Sequence, residues 1–496
     1  MARRLKKVEY TSDIIPPTEF DTVYYAEKDD IVAYMRLVAA IAVLSDGTRV
    51  KLPRPIISSQ EGIGSKIWNE DGGYWDLDDE SEKVSLTDLK TLILPEGIVI
   101  KDDTTDYIFY GCGNLENIEL SHDFSEIGEY CFQDCLSLTS VTIPDSVMSI
   151  GEGAFVNCSA LSSITIPDSV TYIGDYTFDV TNLSSVVIGS GLTNIGESIF
   201  GSDGNSSICS VTLRDGLSTI PEEMFEGCTG LTSLTIPNSV TSIGHSAFRG
   251  CSALSSITIS DSVSDIGGYA FSGCSALSSI TIPDSVTDIG DNAFLDCSNL
   301  TSVIIGSGLT NVGEEGIFGS DGNSSIRSVT LRDGLSTIPR KMFWGWSAFS
   351  SITIPDSVMS IGDTAFAFCS SLTSVTIPNS VSYIGSSAFS DCESLTSITI
   401  PDSVTSIGGG AFYLCSGLSS ITIGSGVTTI GSNAFLECYS LHTIIVMSTH
   451  EINLKNALGE YENMGPYTIY VPSSKVDYYN NHFTDWDVTI RPISEI

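Results

Sequence analysis

Apolar and polar positions along most of this chain follow one short pattern that returns every 23 residues. It is clearest in residues 138–160, LTSVTIPDSVMSIGEGAFVNCSA, and in the copy that follows from Leu161. Leu161, Ile164 and Ile166 alternate with Ser163 and Thr165, the two-residue period of a strand with one face buried. Pro167 ends that strand because it has no N–H to give a ladder, and Asp168 and Ser169 are turn formers. Val170 and Ile173 return apolar groups to the interior, and Gly174 is expected to supply a positive φ or a close backbone approach. In the copy opening at Leu138, the spacing of Ala154, Phe155 and Cys158 predicts a short turn of α- or 3₁₀-helix with its apolar side inward. Sixteen such units open between Leu89 and Leu441. No unit can bury its apolar face alone, so stacked neighbours must build the core.

The L-x-x-h-x-h opening and the 23-residue period fit a leucine-rich repeat better than a β-helix with six-residue rungs. Two features depart from the common form: Ser146 and Ser169 stand where Asn or Cys usually follows the strand, and the I-G-x-x-A-F-x-x-C ending is additional. With that ending, as in residues 395–415, the unit resembles the BspA-like leucine-rich repeat family, and the closing residues 469–493 resemble the last segment of many of its members. The resemblance implies an α/β solenoid with a parallel sheet. It also implies a bacterial surface or secreted protein that binds other proteins and performs no chemistry. Three regions are expected: a small non-repeat domain with an acidic linker over residues 1–85, the array over 86–445, and a capping segment over 446–496.

The first region is the least regular. Residues 30–44 read as a helix capped by Asp30, or residues 37–52 as a hairpin turning at SDGT, within a small α+β or β domain. The acidic stretch 69–83 reads as a linker or a cover for the first strand, with partner contact as the alternative. The basic start MARRLKK is not followed by the apolar run of a secretory signal, and residues 37–44 are too short to span a bilayer. No membrane insertion is expected, and the export route is open.

The array carries internal history. The loop FGSDGNSS occurs at 200–207 and at 318–325, and VTLRDGLSTIP at 211–221 and 329–339, which indicates duplication of a five-unit block. Asp203, Asn205, Asp321 and Asn323 offer calcium oxygens, but too few for a full site, so turn chemistry is the competing reading. Eleven of the thirteen cysteines fall three residues after the repeat Phe. A column of free, buried thiols is therefore expected in place of disulfides, and their even spacing does not gather zinc ligands. No cofactor or metal is expected.

Charge narrows the partners. The formal net charge is −39; residues 1–85 hold 11 Lys and Arg against 16 Asp and Glu, and residues 446–496 hold 3 against 7, so most of the excess lies on the repeats. Such a field disfavours nucleic acid and suits basic partners. Outward strand positions form columns of small hydroxyls, Ser163 and Thr165, Ser279 and Thr281, Ser397 and Thr399 among them, and Asp145, Asp168, Asp284 and Asp402 form a column after the strand. The first columns read as a recognition face or as plain solvent-facing strand, and the second as turn stabilisation or weak cation binding. One unit breaks the acidic rule: Arg327, Arg332, Arg340 and Lys341, with Trp344 nearby, make a candidate ligand site, while Trp346 takes the cysteine column and is expected in the core. The five histidines are scattered, with no nucleophile setting and no phosphate-binding fingerprint, so no enzyme is expected. Two functions remain. One is an adhesin whose array binds a protein or glycan ligand on another cell or matrix. The other is a component of a larger assembly, such as a virion or envelope appendage, anchored by residues 1–85.

Overall fold

A computed structural model describes residues 106, 109–120, 122, 124–201, 205–319, 325–459 and 466–496, together with eight strands before residue 100. The fold is a parallel β-solenoid of about sixteen coils of about 23 residues, as the repeats demand. It divides into two compact units, Met1–Val240 with Gly250–Ala253, and Thr241–Arg249 with Leu254–Ile496.

In the first unit each coil lays down a short strand from the L-x-x-h-x-h segment. Thr91–Ile93, Asn117–Glu119 and Ser140–Thr142 pair in parallel and in register, as do Ser163–Thr165, Ser185–Ile188 and Ser210–Leu213. The centre of Ser163–Thr165 is buried and its two ends exposed, as alternation requires. The V-x-x-I return is itself a strand. Glu126–Ile127, Ser149–Ile150, Tyr172–Ile173 and Asn194–Ile195 form a second parallel ladder, so the coil has two sheet walls where one was anticipated.

The third wall corrects the expected helical turn. Among the described residues of the repeats no helix forms. Instead, alternate N–H groups serve two purposes. Phe155 and Asn157 donate to Thr177 and Asp179 of the next coil, while Ala154, Val156 and Cys158 close tight turns onto Gly151, Gly153 and Phe155. Gly153 and Asn157 lie in the left-handed region, at φ 57° and 60°, which lets successive carbonyls point alternately along the coil and across it. A helix would use every N–H internally and leave the neighbouring coil unpaired. Gly174 acts by close approach: a Cβ there would stand 2.4 Å from the amide nitrogen of Glu152.

The core is columnar. Phe109, Phe132, Phe155, Phe178, Phe200 and Phe225 stack with centroids 5.0 to 6.0 Å apart and planes within 24° of parallel. Twelve of the thirteen cysteines are buried and all are free, as the column implied. Cys135 and Cys158 donate their thiols to the carbonyls of Phe109 and Phe132 in the preceding coil, both at 3.1 Å. Of the two unusual serines after the strand, Ser169 donates its Oγ to the carbonyl of Val147 at 2.7 Å, whereas the buried hydroxyl of Ser146 has no partner among the described residues.

The second unit repeats these features. Phe343, Phe366, Phe389, Phe412 and Phe435 stack at 4.9 to 5.7 Å, and Ser403 Oγ donates to Val381. Trp346 is buried in the cysteine column, edge-on to Phe343. Beyond Thr443–Val446 the strand ladder continues in parallel through Tyr467–Val471 and Val488–Pro492. The turns there are exchanged for helices Leu454–Leu458 and Val476–His482.

Before the repeats, Ala40–Leu44 and Arg49–Leu52 pair antiparallel across SDGT, and Leu5–Glu9 joins them. The hairpin reading holds, and strands Ala33–Tyr34 and Ala40–Leu44 replace the helix considered over 30–44. In the acidic stretch 69–83, Tyr74–Trp75 pairs with Ile67–Trp68 and the rest lies outside the described residues.

Candidate binding surface

Hydroxyls line the outer side of the main strands, but they are not equivalent. One position before the strand, Thr139, Thr301, Thr373 and Ser419 donate Oγ to carbonyls of the preceding coil, at 2.9, 3.2, 3.0 and 3.0 Å. They help to hold the stack. Within the strand, the exposed side chains of Ser163, Thr165, Ser279, Thr281, Ser374, Thr376, Ser397 and Thr399 make no hydrogen bond to the rest of the described chain. Their donors and acceptors face solvent and are open to a ligand.

Three aspartates of the column stabilise turns. Asp168, Asp284 and Asp402 accept the backbone N–H of Ser190, Ser307 and Ser425 in the next coil, at 2.9, 2.8 and 2.6 Å. These N–H bonds are the main cause holding all three carboxyls below the usual range, with Arg214 and Arg332 adding to the effect at the first two. The serines sit in I-G-S-G turns where the coils press together; a Cβ on Gly189 would lie 2.2 Å from the carbonyl oxygen of Pro167.

The basic unit separates into distinct places. Arg327 donates to the carbonyl of Ser325 at 3.0 Å, and Arg332 pairs with Asp284 at 3.1 Å. Arg340, Lys341 and Trp344 come together: Arg340 reaches Glu314 at 3.4 Å, and Lys341 donates to the Glu314 carbonyl at 2.5 Å and lies 6.0 Å over the Trp344 ring. Trp344 is half-buried and meets Phe368 edge-on at 5.5 Å. Phe368 is 47% exposed and was not anticipated. Its signal is the second Phe in AFAFC, in a position most other copies give to Asn, Asp or Gly, with Leu414 and Glu437 the other exceptions before a repeat Cys.

Across Ser374–Thr376, Ser397–Ile400 and Ser420–Ile423, and as far as Met447 just past Thr443–Val446, the strand face holds a groove of about 480 Å³. Thr376, Asn379, Thr399, Asp402, Thr422 and Met447 line it. Met447 escaped the sequence reading because it falls just past the last strand of the array.

Of the loop residues considered for calcium, Asp203, Asp321 and Asn323 lie outside the described residues. Asn205 is buried: its amide nitrogen donates to Thr181 O at 2.9 Å, and its oxygen accepts the N–H of Ser207 at 3.0 Å. Its oxygen is therefore used in a turn and does not face a cation. Among the described residues no group of three His, Cys, Asp or Glu converges as metal ligands would, and no helix is long and apolar enough to cross a membrane.

The family profile described as a BspA type leucine rich repeat region matches residues 102–232, 218–349 and 336–462. The structure is similar to the crystal structure of a leucine-rich repeat protein from Bacteroides ovatus, with TM-score 0.54 and 25% identity over 91% of this chain and 100% of that one. It also matches a leucine rich cell surface protein from Faecalibacterium prausnitzii at 25% identity, over 74% of this chain and 94% of that one, with TM-score 0.31. Comparison with curated proteins gives no match.

Proposed function

Because the chain belongs to the BspA-type leucine-rich repeat family, we propose that it is a non-enzymatic binding protein, placed at a cell surface as the family resemblance implies. Its exposed strand face holds a protein or glycan ligand on another cell or matrix. The observation that carries this reading is the division of labour among hydroxyls. Those of Thr139, Thr301, Thr373 and Ser419 are tied to the stack, whereas the strand pairs such as Thr376 and Thr399 leave their full hydrogen-bonding capacity outward. A repeated array of open donors and acceptors at the strand spacing of roughly 5 Å matches an extended backbone or a sugar chain. The Arg340, Lys341, Trp344 and Phe368 cluster is a second contact region, an aromatic surface with cations at its rim.

Retention of the full chain on surfaces coated with extracellular-matrix or cell-envelope proteins tests the reading. Thr376→Arg with Thr399→Arg is expected to cut retention by about tenfold, a hot-spot-sized loss. Tyr176→Asn, on the turn wall, is expected to leave it unchanged. If the two variants bind alike, the strand face is not the contact surface. If only residues 1–85 are needed for retention, the chain is an assembly component anchored there.

A further inference from the structure

Three turns of the described chain share one construction, and the third lacks the arginine that the other two carry. The I-G-S-G segments at 188–191, 305–308 and 423–426 each place a serine N–H on an aspartate of the preceding coil. In the coil that follows, the residue just past the strand donates its N–H to the isoleucine carbonyl of that segment: Arg214 to Ile188 at 3.0 Å, Arg332 to Ile305 at 3.0 Å, and Met447 to Ile423 at 2.8 Å. Arg214, Arg332 and Met447 therefore hold the same place. From it the two arginines reach back two coils, and their guanidinium Nη1 atoms sit 3.2 and 3.1 Å from Oδ2 of Asp168 and Asp284. Where Met447 stands no cation reaches Asp402, which has no ion pair among the described residues. Asp402 and Met447 both line the 480 Å³ groove.

We propose that Asp402 is a seat for a guanidinium supplied by a partner, and that the groove takes an extended polypeptide segment bearing arginine. This rests on the strand face being the binding surface and names the ligand chemistry at one place on it. The carboxylate is already oriented by the Ser425 N–H at 2.6 Å, so the seat is built before a ligand arrives. Met447 is 41% exposed and offers a flexible thioether for the aliphatic stem of the incoming side chain. Thr376, Thr399 and Thr422 face the segment with hydroxyls for its backbone. The aspartate column gives way to Asn379 one coil earlier, which removes a like charge from Asp402 and adds an amide to the groove. A divalent cation fits poorly, because it needs several oxygens and one carboxylate is present. A second copy of this chain also fits poorly, since its net charge of −39 repels it.

The test uses the full chain and a fluorescent, end-blocked Ser-Thr-Arg-Thr-Ser peptide, read by anisotropy against the same peptide with neutral citrulline in place of arginine. The arginine peptide is expected to bind about fivefold more tightly than the citrulline peptide, the upper range for an exposed ion pair. Asp402→Asn erases that difference. Met447→Arg erases it as well, because it fills the seat from within as in the other two copies, and an unchanged melting midpoint shows that this variant is folded. Equal binding of the two peptides, or an arginine preference that survives Met447→Arg, overturns the proposal. If matrix retention falls with Thr376→Arg and Thr399→Arg but the arginine preference is absent, the seat is wrong and the strand-face reading stands. If neither is seen, both fall. Self-association of the unliganded chain that Asp402→Asn abolishes would assign the seat to a second copy and overturn the foreign partner.

Discussion

Single residues in this solenoid have sharply different fates depending on which wall they occupy. Cys209 is exposed, with its thiol 3.3 Å from the carbonyl of Ser184, whereas the other cysteines are buried. Burial pushes the thiols of Cys158, Cys228, Cys297 and Cys438 up to about 12. A disulfide-exchange reagent at pH 8 is therefore expected to modify one thiol of the thirteen in the native chain and the others only after unfolding. Rapid modification of several would show that the column is open. Trp344 and Trp346, two of the five tryptophans, make a second contrast. Trp346 is fully buried against Phe343 and Phe318, so Trp346→Ala is expected to cost about 3–5 kcal/mol in denaturant unfolding. Trp344→Ala, on a half-buried ring, is expected to cost far less, and with Arg340→Ala to weaken ligand retention.

At the scale of the element, the coil has three walls, and they were unequally legible. The main strand was readable because alternation and a terminating proline have one explanation. The serine column is a departure visible in the sequence, but the hydrogen bond that Ser169, Ser357, Ser380 and Ser403 make to the preceding coil needs the stacked neighbour to be seen, and Ser146 and Ser285 do not make it. The turn wall was misread because Phe155 and Cys158 stand three apart, a spacing that helices and consecutive tight turns share. Part of the discriminating signal lay in the residues between: Gly153, Asn157, Gly227, Gly250, Gly273, Asn292 and Asp296 have positive φ and types that tolerate it, although Tyr176, Lys341, Thr364 and Leu414 share the conformation without such a type. Val180 occupies that role at φ 54° with a β-branched side chain that is 59% exposed. Relieving it by Val180→Asn is expected to stabilise the fold by about 1 kcal/mol, read as a raised denaturant midpoint at constant slope. The same element sets an alkaline limit. Thiol groups whose folded value is raised contribute stability that is complete below about pH 9, their ordinary range, and is lost as pH rises towards 12. A fold as stable at pH 11 as at pH 8 would contradict a buried thiol column.

For the whole molecule the dominant quantity is charge. A net −39 sets the sign of partner the chain can meet quickly, and Asp168, Asp284 and Asp402 keep their share of it at mildly acid pH because their carboxyls are held low. By the same linkage, any stability these three contribute is present above the ordinary carboxylate range and is lost only as pH falls through their lowered values. Exposed charges are screened beyond roughly 8 Å at physiological salt, so for a basic partner of the proposed strand face the field is expected to act on approach and the groove contacts after arrival. A basic protein that binds the strand face is therefore expected to lose association rate by about an order of magnitude between low and high salt, while its dissociation rate stays nearly constant. Stopped-flow binding across a salt series separates the two rates. If salt instead acts on dissociation alone, the long-range field plays no part in partner choice, and recognition rests on local contacts such as the open hydroxyls of Thr376 and Thr399 and the carboxylate of Asp402.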